Sequence, residues 1–449
     1  MRKRTRILSV LLCTAMTVAL AGCGGKSGGD ARKDEKGGDG KIKLTFSTSV
    51  YVEEPHQKAI DALLAAYNEK NPEVTIEILG AGYDGYWDNI TTEILANNES
   101  DMIQVYPENI STYQAIREGG TFLDLSEYMD DGLKEKLVGQ EMCQVDGETL
   151  AISSYAWGTT GIFYRKSLLK EAGVDPESIH TQEDFREACA KFAGGGKYAT
   201  GVVSGTHAFT VSEWSRLIAR PVSGGLYFPD GESGPYAAEN VNVNSPGNVW
   251  AAQWWQDFLL KDKAAKLVPD KKDTREMFWN GEIPFCMDGP WFVGMSKERD
   301  EALMEDIGIM PQFDIVYEGE TYRPNPTNYP LVTMISKNCA HPGEAYAFLE
   351  WMTTDEAQAI IADCGMIPSN TDYSTSDEYI ENHELEYAIV DYMQNNYEEL
   401  VADPNIAQLG EISQIMLDAA QKMFSEQAAD VKTEMDNAQK QIEEVMSRE

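Results

Sequence analysis

The part of the chain that begins at residue 41 alternates between two hydrophobic periods, and this alternation constrains the fold more than any other feature. Residues 41–47, 74–79 and 101–106 have the short alternating or continuous apolar patterns of strands. Residues 57–71 and 87–97 carry apolar side chains at helical spacing. Strand, helix, strand, helix, strand implies right-handed crossovers and a parallel sheet. The sequence therefore predicts an α/β body.

The N-terminus predicts an export signal over residues 1–22. Four of the first six residues are basic, an apolar run extends from Ile7 to Ala21, and small residues precede Cys23. A charged region, a short apolar region and a small-residue cleavage site are the parts of a secretory signal. The apolar run is shorter than the roughly 20 residues that a membrane-spanning helix needs. We therefore expect cleavage and export.

The tetrad Leu20-Ala21-Gly22-Cys23 resembles the lipobox of bacterial lipoproteins. This resemblance implies that Cys23 is lipidated and becomes the mature N-terminus; the alternative is an ordinary signal peptide with a chance cysteine. Residues 23–40 follow as a linker, with seven glycines among residues 24–40 and no large apolar side chain. Such a segment buries too little surface to fold, and as a flexible coil it reaches ~20–25 Å. We predict a lipid-anchored tether at the extracytoplasmic face of a bacterial cell membrane.

Size and charge restrict the class of protein further. Without residues 1–22 the chain has 427 residues, which is more than one compact core accommodates and suits two domains. Removal of the four positive charges in the signal changes the net charge from −37 to about −41. So large a negative charge argues against a nucleic-acid partner and against attraction of the body to anionic lipid.

The cysteines and histidines do not indicate a metal or a cofactor. Five cysteines lie beyond residue 23, without a Cys-x-x-Cys pair, and are expected to be buried small hydrophobes, with one disulfide left open. They are Cys143, Cys189, Cys286, Cys339 and Cys364. The five histidines are far apart and have no His-Glu-x-x-His spacing. We therefore expect no metal site and no cofactor.

The same periodicities continue along the rest of the chain. Strands are expected at 161–164, 307–311 and 331–336, and helices at 166–172, after Thr181, at 250–260 and over most of the chain after Pro342. Thr181 and Asp184 have nearly the spacing of a capping box. Apolar residues from Val431 to Val445 repeat with a 4-3-4-3 spacing, which is typical of a coiled coil with a partner or of a terminal helix packed on the body. We favour the packed helix because so few heptads are present.

Four segments together have the order and spacing of a known family. They are Asp101 to Tyr128 (DMIQVYPENISTYQAIREGGTFLDLSEY), Gly161 to Val174 (GIFYRKSLLKEAGV), Phe278 to Trp291 (FWNGEIPFCMDGPW) and Pro330 to Ser369, with HPGEAYAFLEWMTTDEAQ and GMIPSN. In this order they resemble the extracellular solute-binding proteins that feed carbohydrate ABC importers, the maltose-binding-protein-like family. The chain departs from that pattern at Arg165, where the family usually has Asn, and at Pro284, which interrupts a strand.

The resemblance implies a two-lobed periplasmic-binding-protein-like α/β fold, in which each lobe is a mostly parallel sheet flanked by helices. Lobe one would comprise residues 41–153 and 307–338, and lobe two residues 154–306 and 339–449. The chain would cross between the lobes at a hinge, and the lobes would close around a ligand. Open α/β sheets bind ligands at the carboxyl ends of their strands, where the cleft would lie.

Candidate ligand-binding residues are aromatic rings that could stack on sugar faces, and polar groups that could bond hydroxyls. They are Tyr51, Glu53, Tyr83, Asp84, Tyr106, Glu108, Trp157, Trp214, Asp288, Trp291, Arg323, Asn328 and Tyr329. Trp291 follows Asp288-Gly289-Pro290 in the motif most specific to the family, and it is the best candidate for a stacking platform. For Trp291 and Trp157 the alternative is burial in a core, because large aromatic side chains are usually buried. Trp250, Trp254 and Trp255 have helical spacing and are expected in a core.

Three classes of function are consistent with this sequence. The leading one is a monomeric, non-enzymatic lipoprotein that captures a carbohydrate, expected to be an oligosaccharide, and delivers it to ABC permease subunits. The same fold could instead bind an organic cation such as a polyamine or a quaternary amine, through rings and carboxylates. The presence of Arg220 and Arg323 near candidate segments favours sugar. A secreted glycoside hydrolase would need only paired carboxylates, but no Gly-x-Ser-x-Gly elbow or histidine constellation is present. A sensor that reports to a membrane kinase is not separable from transport by sequence.

Overall fold

A computed structural model describes residues 40–80, 82–310, 312–324, 329–396 and 403–448. The predicted export signal, Cys23, all of the linker except Gly40, and Asn328 lie outside the described residues. Tyr83 and Asp84 are described only as the first two residues of a helix. Within the described residues, no helix has the length and apolar character needed to cross a membrane.

The strands are numbered in chain order over the described residues. They are β1 (Ile42–Thr48), β2 (Val74–Gly80), β3 (Met102–Val105), β4 (Gln144–Val145), β5 (Glu148–Thr149), β6 (Ala156–Trp157), β7 (Gly161–Arg165), β8 (Thr200–Val203), β9 (Ala265–Val268), β10 (Phe285–Asp288), β11 (Ile307–Met310), β12 (Ile315–Tyr317), β13 (Glu320–Tyr322), β14 (Val332–Ile335) and β15 (Ile367–Pro368).

The α-helices are numbered in the same way. They are α1 (Glu54–Lys70), α2 (Tyr83–Leu95), α3 (Ile110–Gln114), α4 (Asp131–Lys136), α5 (Lys166–Ala172), α6 (Gln182–Ala190), α7 (Phe209–Trp214), α8 (Arg220–Ser223), α9 (Pro229–Glu232), α10 (Pro246–Gln256), α11 (Lys271–Trp279), α12 (Trp291–Arg299), α13 (Pro342–Trp351), α14 (Asp355–Ala362), α15 (Thr371–Ser374), α16 (Asp377–Asn382), α17 (Glu384–Asn396), α18 (Leu409–Met423) and α19 (Val431–Met446).

Lobe one is built on a four-stranded sheet with the order β14-β3-β1-β2. β1 pairs in parallel with β2 and with β3, whereas β14 pairs antiparallel with β3. The alternation of Leu44 and Phe46 places both side chains in the core, where α1, α13 and α14 also bury their apolar faces. The predicted strand–helix–strand start of the body is therefore confirmed.

Lobe two has a separate and larger hydrophobic core. β10 and β11 both pair antiparallel with β7, and β8 pairs in parallel with β9. Around them pack α6, α7, α10, α18 and α19, with the side chains of Trp214 and Trp255 fully buried. Two lobes with separate cores confirm the predicted two-lobed α/β fold. The mostly parallel arrangement describes lobe one, while lobe two combines both kinds of pairing.

The predicted lobe ranges can be compared with these pairings. The range 307–338, expected in lobe one, contributes β14 to the lobe-one sheet and β11 to the sheet of β7 in lobe two. The range 339–449, expected in lobe two, contributes α13 and α14 to the core of lobe one. An apolar strand or an amphipathic helix carries no local signal of which sheet it joins, so the ranges rested on the family pattern alone.

Three local predictions concern helices and cysteines. Thr181 caps α6 in a full capping box with Asp184. The apolar face of α19 is buried against lobe two, as favoured over the coiled coil; Met435, for example, is 0% exposed. The five cysteines beyond residue 23 are buried and unpaired with one another.

Candidate functional site

The first chain crossing brings two aromatic residues together between the lobes. The backbone N–H of Tyr329 donates to the carbonyl oxygen of Gly158 at 2.7 Å. The Trp291 ring also approaches this glycine closely, since a Cβ at Gly158 would be 2.8 Å from Cζ3 of the indole. Side chains larger than hydrogen are therefore excluded at Gly158. The crossing positions Trp291 from lobe two beside Tyr329.

Trp291 is held in place by a charged network in lobe two. Its indole Nε1 donates to Oδ1 of Asp288 at 2.6 Å. Oδ2 of Asp288 accepts from Nε of Arg275 at 2.8 Å, and the Gly289 N–H donates to Oδ1 at 2.9 Å. A Cβ at Gly289 would lie 2.2 Å from the indole ring, so this position requires glycine. The indole is fixed, yet remains only partly buried.

Four rings form what we call the aromatic cluster: Trp87, Tyr106, Trp291 and Tyr329. The ring centroids of Tyr106 and Trp291 each lie 6.3 Å from that of Tyr329, in edge contacts. The ring centroid of Trp87, near the start of α2, lies 5.7 Å from that of Tyr106. The hydroxyl of Tyr329 is buried and has no hydrogen-bond partner among the described residues. The cluster therefore combines flat apolar surface with an unused hydroxyl.

A group of charged side chains borders the aromatic cluster. The guanidinium of Arg216 lies 4.3 Å from the centroid of the Tyr329 ring, and its Nη2 is 2.5 Å from Oδ2 of Asp403. Arg220 also binds Asp403, and its Nη2 lies 3.6 Å from Oε1 of Glu232. Burial and the neighbouring Asp403 raise the pKa of Glu108 to about 7, while Arg216 opposes this rise. Two arginines thus compensate Asp403, while Glu232 and Glu108 lie near the same pair.

Sequence reasoning singled out Arg220 but missed Arg216 and Asp403. The two arginines lie on one nearly continuous helix formed by α7, a π-helical turn at Ser215–Ala219, and α8. Single π-turns inside helices occur frequently at functional sites. The spacing of four residues between the arginines, which places them on one face, was the available signal. Asp403 is 183 residues from Arg220 and has no local signal.

Glu53 approaches the same network from lobe one. It is the residue before α1, and its side chain is 19% exposed. Burial raises its pKa to about 7; the charge of Arg275 opposes the rise and that of Asp288 adds to it. His56 lies 3.9 Å from Glu53 and shares a 2.8 Å hydrogen bond with the hydroxyl of Tyr155, and burial lowers the pKa of His56 to about 4. A lobe-one carboxyl therefore lies within electrostatic range of Asp288 and Arg275 of lobe two.

Four other candidates, whose side chains the structure describes, lie outside this arrangement. Tyr51 lies on the rim of lobe one, where its hydroxyl donates to Asp61 at 2.8 Å. Trp157 is buried in a hydrophobic cluster with Ile367, and Trp214 is buried in the lobe-two core. Arg323 is 58% exposed and lies 3.6 Å from Asp314.

A cavity lies beside the crossing, directly after Gly158. Its volume is about 190 Å³, and its lining includes Thr159, Gln312 and Tyr392. The hydroxyl of Thr159 and Oε1 of Gln312 are buried without a partner among the described residues. The Tyr392 hydroxyl donates to the carbonyl oxygen of Gln312 at 3.0 Å. Space and unused hydrogen-bonding groups therefore adjoin the hinge.

Comparison with known protein families gives a match over most of the chain. The profile of the family described as bacterial extracellular solute-binding protein matches residues 53–359. This range begins at Glu53 and includes Asp288, Trp291 and Tyr329.

Two curated relatives have oligosaccharides in their names. The chain is 22% identical over 284 residues to the maltotriose-binding protein of Pyrococcus abyssi. The aligned region covers 62% of this chain and 57% of that protein. It is 24% identical over 294 residues to the galactooligosaccharide-binding protein of Bacillus subtilis, and this aligned region covers 63% of this chain and 62% of that protein. The chain thus spans less than two thirds of either relative.

Solved structures share the fold over almost the whole chain. An ABC transporter solute binding protein of Thermotoga lettingae, bound with alpha-D-tagatose, superposes with a TM-score of 0.74 and 14% identity. The match covers 91% of this chain and 100% of that protein. At this identity, the likeness concerns the two-lobed fold alone.

Proposed function

Because this chain belongs to the bacterial extracellular solute-binding protein family, we propose that it captures a carbohydrate between its lobes for an ABC importer. The observation that carries this proposal is the fixed indole of Trp291, which lies beside Tyr329 between the lobes. We assign the ligand contacts to the aromatic cluster and to Glu53 and Glu108. The process is binding and release, without a covalent step.

The aromatic cluster suits a sugar because a pyranose ring has an apolar C–H face and a polar hydroxyl edge. A flat ring such as that of Trp291 stacks on the face. In this proposal the hydroxyl of Tyr329, which has no partner among the described residues, and the carboxyls of Glu53 and Glu108 bond the sugar hydroxyls. The unused groups of Thr159 and Gln312 extend this polar surface toward the hinge. The number of these groups favours an oligosaccharide over a single small ring.

Charge compensation argues for a neutral ligand over an organic cation. A site that cages a cation needs rings together with carboxylates whose charge is not already balanced. Here Asp288 is bound by Arg275, and Asp403 is bound by Arg216 and Arg220. The names of the two curated relatives agree with this choice of ligand.

Anchoring and delivery complete the proposal. Lipidation of Cys23 would tether the monomeric body to the extracytoplasmic face of the membrane. The linker of residues 23–40 would let it reach permease subunits. Labelling with a radioactive fatty acid in a bacterial host tests the anchor: we expect label in the parent and none in Cys23→Ser.

A thermal-shift screen tests the choice of ligand. The body from residue 41 would be heated with monosaccharides, disaccharides and oligosaccharides, and with polyamines and betaine-type amines on a second plate. A ligand at 100 times its dissociation constant adds about 2.7 kcal/mol of stability. We expect shifts with oligosaccharides alone. Shifts confined to the amine plate would refute the carbohydrate proposal and leave the fold and family unaffected.

A further inference from the structure

The short helix α3 of lobe one has an unusual cap. Asn109 precedes α3, but its side chain accepts no hydrogen bond from the helix, and its Oδ1 is buried without a partner among the described residues. The N–H of Ser111 instead donates to Oδ1 of Asn405 at 2.9 Å. Ser111 is the second residue of α3, and this is the N–H that a capping side chain normally binds. The cap of this lobe-one helix therefore comes from a distant part of the chain.

Asn405 belongs to a segment that is fixed to lobe two. Two residues earlier, Asp403 binds Arg216 and Arg220. One residue later, Ile406 is 8% exposed and packs in the lobe-two core. Asn405 therefore moves with lobe two.

Helix α3 is fixed equally well in lobe one. Ile110 and Tyr113 are buried in the cluster that contains Val105 of β3 and Val332 of β14. A second bond joins the two sides, because the hydroxyl of Thr112 donates to the carbonyl oxygen of Ile406 at 3.4 Å. Since both partners are anchored in different cores, opening of the lobes must break these bonds.

We propose that Asn405 and Asn109 are alternative caps of α3, which exchange when the lobes open. The arrangement in the structure, in which Asn405 binds the Ser111 N–H between the two lobes, is the closed one in this proposal. In the open arrangement that N–H loses its partner, and the side chain of Asn109, two residues before it, takes over. Asn109 now has helical backbone angles (φ −89°, ψ −12°), because a 3-10 turn over Pro107–Asn109 runs into α3. An N-cap residue usually has extended angles. Relaxation of this turn is the conformational change that the exchange requires.

The exchange would tune ligand affinity without either asparagine contacting the ligand. It rests on the proposed function only in that ligand binding closes the lobes. Apparent affinity falls with the fraction of molecules that are competent to bind. A typical N-cap substitution changes an equilibrium about fivefold. Removal of the closed-state cap should therefore weaken binding, and removal of the open-state cap should strengthen it.

The test compares two Asn→Ala substitutions that are expected to change saccharide affinity in opposite directions. Asn405→Ala should shift the ligand-free protein toward the open form and weaken saccharide binding about fivefold. Asn109→Ala should shift it toward the closed form and tighten binding by a similar factor, and the double variant should return near the parent. The readouts are the radius of gyration of the ligand-free protein by small-angle X-ray scattering and the dissociation constant by calorimetry. Asn437→Ala, on an exposed position of α19, is the matched control and should change neither.

Two outcomes would overturn the cap exchange. One is a shift of both single variants in the same direction, as loss of an ordinary structural bond would produce. The other is an unchanged radius of gyration in both. If no saccharide binds, the scattering comparison still decides the cap exchange, so its failure and that of the proposed function remain distinguishable.

Discussion

The indole Nε1 of Trp291 lies 2.6 Å from Oδ1 of Asp288, and this bond fixes the aromatic surface between the lobes. The same carboxylate binds Arg275, so the orientation of the ring depends on a buried ion pair. The aromatic surface and the ion pair that orients it therefore share one carboxylate of lobe two. The following predictions separate their contributions.

Replacement of Trp291 by Ala should abolish most of the saccharide affinity. Burial of a large apolar side chain contributes about 1.5–3 kcal/mol, which corresponds to a roughly 10- to 150-fold change in dissociation constant. Calorimetry measures this change. Trp291→Phe keeps a ring but loses the bond to Asp288, and should give an intermediate affinity. Equal affinity of the Ala variant and the parent would exclude Trp291 as a stacking surface.

Gly289→Ala tests the close packing beside the indole. The added Cβ would lie 2.2 Å from the ring, so the ring must move. We expect a folded protein with at least tenfold weaker saccharide binding, on the basis of about 1.4 kcal/mol lost. Gly410→Ala is the matched control, because a Cβ there meets nothing within 4 Å. Identical saccharide affinities of the two variants would argue against the need for a fixed ring.

Asp288→Asn should destabilise lobe two as well as misplace Trp291. Removal of one partner of a buried ion pair typically costs about 3–5 kcal/mol. Both Arg275 and the buried Lys271 would lose a compensating charge. Urea unfolding measures the change in the free energy of unfolding. Asp131→Asn, at an exposed pair with Lys134, should cost less than about 1 kcal/mol. A similar small loss for Asp288→Asn would contradict the account of this network.

Glu53→Gln should change the pH dependence of stability. Burial raises the pKa of Glu53 to about 7. Between about pH 4.3 and 7 the folded protein therefore holds a proton that the unfolded chain has lost, and the free energy of unfolding falls as the pH rises through this range. The neutral Gln avoids this loss. The free energy of unfolding of Glu53→Gln should exceed that of the parent by about 1–2 kcal/mol at pH 8, after allowance for the partial exposure of this side chain. Near pH 4 the two free energies should be equal.

The control for this pH effect is Glu54→Gln, at the neighbouring carboxyl, which is 66% exposed. Urea unfolding at the two pH values measures all three proteins. We expect Glu54→Gln to lack the gain in the free energy of unfolding at pH 8 that is predicted for Glu53→Gln. The assignment to Glu53 would not survive a pH-independent difference for Glu53→Gln.

Local features of the fold were predictable because they depend on neighbours in sequence. The alternation of Leu44 and Phe46 predicted β1, and the spacing of Thr181 and Asp184 predicted the start of α6. Trp291 and Asp288 were identified through the resemblance to a family, whose motif places Trp291 three positions after Asp288. Periodicity alone gives no role to either residue.

Long-range features of the site were not predictable in the same way. Asp403 meets Arg216 across 187 residues of sequence, and no local pattern marks such a contact. Trp214 was a ligand candidate, yet it lies in the lobe-two core against Phe424. A tryptophan beside a carboxylate has the same local pattern at a cleft and in a core. Only the packing of the helices distinguishes the two environments.

Calorimetric titration of an oligosaccharide into the protein, in parallel with the Trp291→Ala variant, tests the central claim most directly. We predict one saccharide bound per chain of the parent, weaker or undetectable binding to the variant, and recovery of the saccharide intact. If the parent bound no member of a full panel of oligosaccharides and instead bound an organic cation saturably, the result would contradict the account.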